Sequence, residues 1–220
     1  AIYGAQGANG VVLITTKRGK AGDAKINYDG MFAVSRQTKR LEMMNLREYA
    51  EYYNDLVSVG EIGDSNPYYT DPSLLGTGTN WQDAIFRTAL QHQHQVSVSG
   101  GSEKVQYYVS GSYMDQEGTI IGSNFNRFSL RSNLDAQVKS WLKMGINLSY
   151  SNTNDDLKLA DSEQGLIRYS LTSLPDIPIY DVDGNYSSTV REGYTNPNPI
   201  ALAMEDDILL NRQKINGNIF

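Results

Sequence analysis

Cysteine is absent from the 220 residues of this chain. That excludes a disulfide framework, a thiolate metal site and a cysteine nucleophile, and it suits a protein that crosses an oxidising compartment without mispairing. Long apolar runs are missing too: the longest aliphatic stretch is Val11 to Ile14, against the roughly 20 residues of a membrane-spanning helix. A membrane helix is thereby excluded. Basic clustering is the third absence. Lys and Arg number 19 against 25 Asp and Glu, for a net charge of −6, and the pI is near 4.9. The cations are scattered, so no nucleic-acid footprint is present. No initiator methionine or signal peptide opens the chain, which starts inside what reads as a structured element, so a piece of something longer is expected.

What is present is an alternation of period two. With 40% hydrophobic and 20% charged residues and a mean hydropathy of −0.45, the chain can bury a core or deploy its apolar residues on one face only. Val105, Tyr107, Val109, Gly111 and Tyr113 alternate with polar neighbours, apart from Tyr108. Phe128, Leu130, Leu134, Ala136 and Val138 do the same, as do Leu142, Met144, Ile146, Leu148 and Tyr150. Ile26, Tyr28, Gly30, Phe32 and Val34 form an earlier case, Val96 and Val98 a shorter one, and Ile215, Gly217 and Ile219 a sixth. Each reads as a two-faced strand.

The connections alternate in length. Tight turns are expected at Gly100-Gly101-Ser102 and around Lys139-Ser140, and long connections at 36–90, 116–124 and 155–207. Antiparallel strands joined in this way put every short turn on one side and every long loop on the other, as in an outer-membrane barrel. Tyr107 then sits low and Tyr113, Phe128 and Tyr150 sit high around an aliphatic band, like two interfacial girdles. A soluble β-sandwich also alternates, but its strands tend to be shorter and its loops less lopsided.

The opening AIYGAQGANGVVLITTKRGK closely resembles the end of the plug domain in the SusC/RagA family of TonB-dependent outer-membrane transporters. Ala1, Ile2, Tyr3, Gly4, Ala8 to Lys17, Gly19 and Lys20 carry the match, and Ala5 and Gln6 depart from it. Further similarity follows at 44–55, at NWQDAIFRTA (80–89), at HQHQVSVSGGSEKVQYYVSGSY (92–113) and at NRFSLRSNLD (126–135), fading between Lys158 and Leu210. The resemblance implies an all-β transmembrane antiparallel barrel, of which about six strands are here, because plugged transporters have about 22. It implies the C-terminal end of the plug at 1–24, the first part of the barrel wall at 25–220, and short helices in the long extracellular loops. A structural plug motif of Tyr3, Gly4, Gly7, Asn9, Gly10, Thr15 and Thr16 goes with it. The implied function is energised import of a bulky nutrient, glycan or peptide, across the outer membrane of a Bacteroides-type Gram-negative cell. The implied partners are a SusD-like surface lipoprotein and the TonB–ExbB–ExbD complex, with no cofactor and no enzymatic activity. Rival readings are a secreted or surface carbohydrate-binding β-sandwich and a passive outer-membrane pore.

The residues also stand on their own. Gly4, Gly7 and Gly10 allow a sharp turn into a buried strand Val11 to Thr15, while no Gly-Lys-Ser/Thr follows to make a phosphate loop. Lys17, Arg18 and Lys20 read as a solvated linker. His92 and His94, two apart on one strand face, could ligate zinc, but without a third ligand in the pattern they read as interfacial surface residues. Asp181, Asp183 and Asn185 resemble a calcium loop, but Gly184 falls at the wrong position and the closing glutamate is missing, so a tight Asp-Gly hairpin turn is expected. The acidic pairs Asp155/Asp156 and Asp206/Asp207 read as solvated. In the first long loop Leu46, Tyr49, Ala50, Tyr53, Leu56 and Val57 have helical spacing, and Asn80 with Asp83 resembles a cap ahead of Trp81. Tyr68, Tyr69, Tyr180, Tyr186 and Tyr194 could stack on sugars or pack the loops. Phe220 resembles the terminal aromatic of a barrel, but a chance end is expected.

Overall fold

The computed structural model describes residues 10, 12, 16–160, 162–187 and 194–220. Six strands, β1 (Gly22–Ser35), β2 (Ala89–Gly101), β3 (Val105–Glu117), β4 (Asn124–Lys139), β5 (Leu142–Leu157) and β6 (Ile208–Ile219), form one sheet in sequence order. Every neighbouring pair is antiparallel. The strands run 12 to 16 residues, more than the roughly 9–11 a tilted transmembrane strand needs. On β4, β5 and β6 the excess lies at the long-loop ends, beyond Phe128, Tyr150 and Ile215.

Both tight turns form where the sequence places them. The β2–β3 turn depends on Gly101, whose φ of 144° belongs to glycine; a Cβ there would lie 2.2 Å from the Val105 carbonyl oxygen. The strands consume the margins of the expected loops, leaving connections of 36–88, 118–123 and 158–207. Val96 and Val98 belong to the full-length strand β2, and the sixth strand starts at Ile208, well before Ile215. Alternation fades at 91–95 and 211–214 because both faces there are polar, which hides strand from loop.

The two faces differ as the pattern requires. Val109, Leu130, Leu134, Ile146 and Leu148 are exposed on one face, whereas Ser97, Tyr108, Asn133 and Asp135 are buried on the other. The register aligns the exposed side chains across the sheet, with Tyr113 opposite Phe128, Leu130 opposite Tyr150 and Tyr150 opposite Ile215. The upper limit of the apolar band descends from Val34 on β1, through Tyr113 and Phe128, to Ile215 on β6, which shares a register level with Tyr28. Strands tilted near 40° shift the membrane plane by about 20 Å over five steps of about 4.8 Å, or about six residues of strand. That is the fall from Val34 to the level of Tyr28, so one flat apolar belt fits all six strands.

Among the described residues four α-helices lie in the long loops: α1 (Leu46–Ser58), α2 (Trp81–Ile85), α3 (Leu166–Thr172) and α4 (Pro199–Glu205). Asn45 and Glu48 form a reciprocal capping box on α1, and the Asn80 side chain accepts from the Asp83 amide at the start of α2. Asn198 caps α4, accepting from the Ile200 and Ala201 amides. Because the exposed face is lipid-facing, Ile146→Arg at mid-strand is expected to cost about 2–4 kcal/mol of folding stability in liposomes. Asn147→Arg, one residue on and facing the other way, should cost much less; denaturant titration of the two variants checks this.

Candidate functional site

Two features of the polar side stand out, and the first is a clasp on the lumen face. Residues 17–19 lie across β3 and β4. The Asn133 side-chain amide donates to the Lys17 carbonyl oxygen at 2.7 Å, and the Arg18 guanidinium donates to Asp135 Oδ1 at 2.9 Å. The same guanidinium stands 5.2 Å from the centre of the Phe220 ring. Gly19 is buried, and a Cβ there would fall 2.4 Å from the Tyr107 carbonyl oxygen. Only glycine permits this approach. The solvated linker expected here is therefore half right: Lys20 is exposed, but Arg18 is ion-paired and its partner Asp135 is buried. The reason is geometric, since a carboxylate turned to the lumen face cannot remain covered by chain without a charge partner.

Above the sheet, the loops make their own core. Trp81, Ile85, Leu166, Ile177, Ile200 and Ala203 pack together, drawing on the first and third long loops. The short connection 118–123 joins them, with Ile121 donating to the Ile85 carbonyl and Phe86 bridged to Ile120. Trp81 Nε1 donates to the Leu174 carbonyl at 2.9 Å, and Thr79 Oγ1 to that of Ile177 at 2.7 Å. Tyr69 Oη donates to Asp176 Oδ2 at 2.5 Å. Polar side chains thus stitch the two loops around an apolar centre.

The base of this cap is fixed by Lys158. Its ammonium meets Asp207 at 2.8 Å, Asp156 at 3.2 Å and the Asp206 carbonyl at 3.0 Å. Burial pulls the Lys158 pKa down, but hydrogen bonds and charge from Asp207 and Asp156 outweigh it and hold it above the ordinary lysine value. A raised lysine pKa stabilises fully below the unfolded value and loses that contribution only as pH rises through the folded one. This ion cluster is therefore formed throughout the neutral range. Asp156 and Asp207, expected to be merely solvated, have this structural role.

Several cavities open in the cap, and two of them are large. One, of about 700 Å³, lies between Met43, Met44, Tyr52, Trp81, Thr172 and Leu174. The other, of about 820 Å³, is bounded by Tyr180, Asn185, Tyr186, Asn196, Asn198 and Glu205. Of the loop tyrosines, Tyr69 is buried against Tyr49 and Tyr53, whereas Tyr68 is exposed. Tyr180 and Tyr186 stack at 5.3 Å on the hairpin that DVDGNY forms, in which Asp181 Oδ1 accepts from the Asp183 and Asn185 amides. His92 and His94 sit on the lipid-facing side among aromatics: Tyr28 Oη lies 2.6 Å from His94 Nδ1, and the His92 ring is 6.0 Å from that of Tyr113. Among the described residues no group of three or more His, Asp or Glu is placed to hold a metal.

No family model matches the chain. Among curated proteins it is 35% identical over 243 residues to the TonB-dependent receptor SusC of Bacteroides thetaiotaomicron, an alignment covering 100% of this chain and 22% of SusC. It is 31% identical over 211 residues to TonB-dependent receptor P3 of Formosa agariphila, covering 93% of this chain and 20% of that protein. Among solved structures it superposes on the RagAB peptide importer in its open-open state with a TM-score of 0.73 and 26% identity, over 99% of this chain and 28% of that one. The closed-closed state of the same importer gives a TM-score of 0.70.

The chain belongs to the SusC/RagA-like TonB-dependent receptors. It spans about a fifth of the length of the curated relatives it matches. The six-stranded sheet is accordingly part of a SusC/RagA-like barrel wall. Of the plug motif, Tyr3, Gly4, Gly7, Asn9 and Thr15 lie outside the described residues, as does most of the strand expected at Val11 to Thr15. Gly10, with a φ of 105°, and Thr16 are described and exposed.

Two outcomes follow for the clasp and the cap. In a double-mutant cycle, Arg18→Ala and Asp135→Ala should be non-additive by about 1–2 kcal/mol, the half-exposed guanidinium keeping the figure modest; thermal unfolding of the four proteins measures it. Trp81→Ala should destabilise the cap locally by about 3–5 kcal/mol. Hydrogen exchange would then accelerate at α3 and α4 and remain unchanged in β3 to β5.

Proposed function

We propose that this chain is the plug end and first wall strands of a transporter that imports a bulky nutrient across the outer membrane with energy from the TonB–ExbB–ExbD complex. On this reading residues 1–24 close the plug and residues 25–220 begin the barrel. Tyr3, Gly4, Gly7, Asn9, Gly10, Thr15 and Thr16 shape the turn and strand by which the plug ends. The observation that carries the reading is the clasp. A wall with an apolar outer face is consistent with any barrel, but here a segment preceding β1 is tied to the lumen face through Arg18 and Asp135. A passive pore would have no use for chain tied across its lumen, and a β-sandwich would cover its inner face with a second sheet.

The clasp also divides the work. Force applied through residues ahead of the plug motif would be resisted at Arg18, so the wall stays put while the plug moves. The loop cap is the capture surface, because recognition concentrates in loops held by a rigid scaffold. Its cavities offer aromatic, amide and hydroxyl groups, a set that suits a glycan or a peptide alike. A SusD-like surface lipoprotein would dock on the same outward side. The relatives support this direction: one solved relative is a peptide importer, and SusC is a TonB-dependent receptor.

Replacing residues 159–197 with a short Gly-Ser linker tests the assignment in the full-length protein. The change leaves Lys158 and the Asn198 cap in place. Recovery of folded protein in the outer membrane should be unchanged, since the ladder bonds run between strands. Nutrient uptake, or co-purification of the lipoprotein, should fall at least tenfold. Normal uptake and normal lipoprotein recovery in this variant would refute a recognition role for the loop.

A further inference from the structure

Above the apolar belt, the lipid-facing side of β4, β5 and β6 carries a row of asparagines. Asn126, Asn154 and Asn211 lie at one register level. Asn154 Nδ2 donates to Asn126 Oδ1 at 2.8 Å. Asn211 Nδ2 donates to Asn154 Oδ1 and, at 3.1 Å, to Asn152 Oδ1. A cavity of about 410 Å³ lies against this ladder, bounded by Asn124, Asn126, Asn154, Asp156, Leu209 and Asn211. Asn124 Oδ1 is buried there with no hydrogen-bond partner among the described residues.

Height and charge decide what the ladder meets. Asn126 is two residues beyond Phe128, and Asn154 and Asn211 are four beyond Tyr150 and Ile215, which end the apolar belt on their strands. At about 3.3 Å per residue and a tilt near 40°, the row stands about 5 to 10 Å above the hydrocarbon. The polar layer of a bilayer leaflet occupies about 5–7 Å, so the ladder spans that layer and rises just past it. Soluble loops do not need such a row, and acyl chains would not tolerate it. Arg127 and Arg212 alternate to the lumen side, and the Lys158 ammonium is taken up by Asp156 and Asp207. The carboxylates of Asp115 and Asp156 flank the row, so a phosphate would be repelled. Carboxamides both donate and accept, which matches sugar hydroxyls, and Leu209, exposed beside them, offers an apolar surface to the C–H face of a ring.

We propose that the Asn126–Asn154–Asn211 ladder and its cavity bind the uncharged sugar headgroup of an outer-leaflet glycolipid. The acyl chains of that lipid would continue down the apolar belt past Phe128, Tyr150 and Leu148. This rests on the outer-membrane reading above and adds a fixed lipid to it. The ladder would set the depth and rotation of the wall in the leaflet, leaving the loop cap clear of it.

The experiment uses the full-length transporter purified from its outer membrane in mild detergent, washed until lipid loss reaches a plateau. Glycolipid retained per protein is measured by mass spectrometry for the wild type, for the combined Asn126→Ala, Asn154→Ala and Asn211→Ala variant, and for Asn147→Ala as a lumen-side control. The ladder variant should retain at least fivefold less, the control should match wild type, and all three should keep the heat-sensitive gel mobility of a folded barrel. The saccharide released from the same glycolipid by deacylation should not displace it. Equal retention in the ladder variant would overturn the proposal. So would full competition by the deacylated saccharide, which would make the cavity a subsite for soluble sugar. Loss of a co-purifying protein with no loss of lipid would identify a protein contact instead and would overturn it equally. Absence of the wild type from the outer-membrane fraction would overturn the barrel reading itself, whereas folded barrels with unchanged lipid would overturn the ladder alone.

Discussion

Backbone hydrogen bonding in a medium without water constrains everything else in this molecule. A strand in lipid must give every N–H and C=O to its neighbours, so the wall is a continuous antiparallel ladder with short turns on one side. Once the ladder is fixed, alternation assigns each side chain to lipid or lumen. Ile146 and Asn147 are neighbours in sequence and occupy different solvents. The tilt that closes such a wall also explains why the apolar band falls from Val34 to Ile215 across six strands. The wall carries little apolar core of its own, and the buried apolar cluster lies in the loops.

That division has functional sense. Residues 36–88 and 158–207 are far apart in the chain but meet around Trp81 and Ile177, with Lys158 pinning the second loop at its base. A cap with its own core can hold cavities of fixed shape above a barrel mouth. The lumen face, by contrast, buries polar groups under residues 17–19. Arg18 and Asp135 make that seam specific, while Gly19 lets the chain lie flat on the β3 backbone. Polar seams can be remade more readily than apolar ones, which would suit the boundary between wall and plug in the proposed transporter.

Much of the wall is legible in the sequence because its signal is local. Val105 to Tyr113 and Leu142 to Tyr150 declare strand, face and direction by alternation alone. The upper stretches of the strands do not declare themselves: Asn124, Asp156 and Asn211 are polar on a side that is apolar lower down, so they resemble loop. Resemblance implies short helices in the long loops, but the positions of α3 and α4 are not legible because seven residues are too few to show a helical period, and Pro175, Pro178 and Pro199 suggest turns. The clasp is hidden for a different reason. Arg18 and Asp135 are 117 positions apart, and nothing local distinguishes Arg18 from the solvated cations beside it. The asparagine ladder is likewise a property of three strands in register. Resemblance identifies the family from the opening motif, but it does not indicate that Asp156 and Asp207 share one lysine.

Two-sidedness of the wall underlies every functional conclusion drawn above, and lipid contact measures it most directly. Environment-sensitive fluorophores attached singly at positions 130, 133, 147 and 148 of the full-length protein would be compared in liposomes with and without brominated acyl chains. Labels replacing Leu130 and Leu148 should be strongly quenched by the brominated lipid, and those replacing Asn133 and Asn147 should not. Equal quenching at all four positions, or none at any, would contradict a wall with lipid on one side and a lumen on the other.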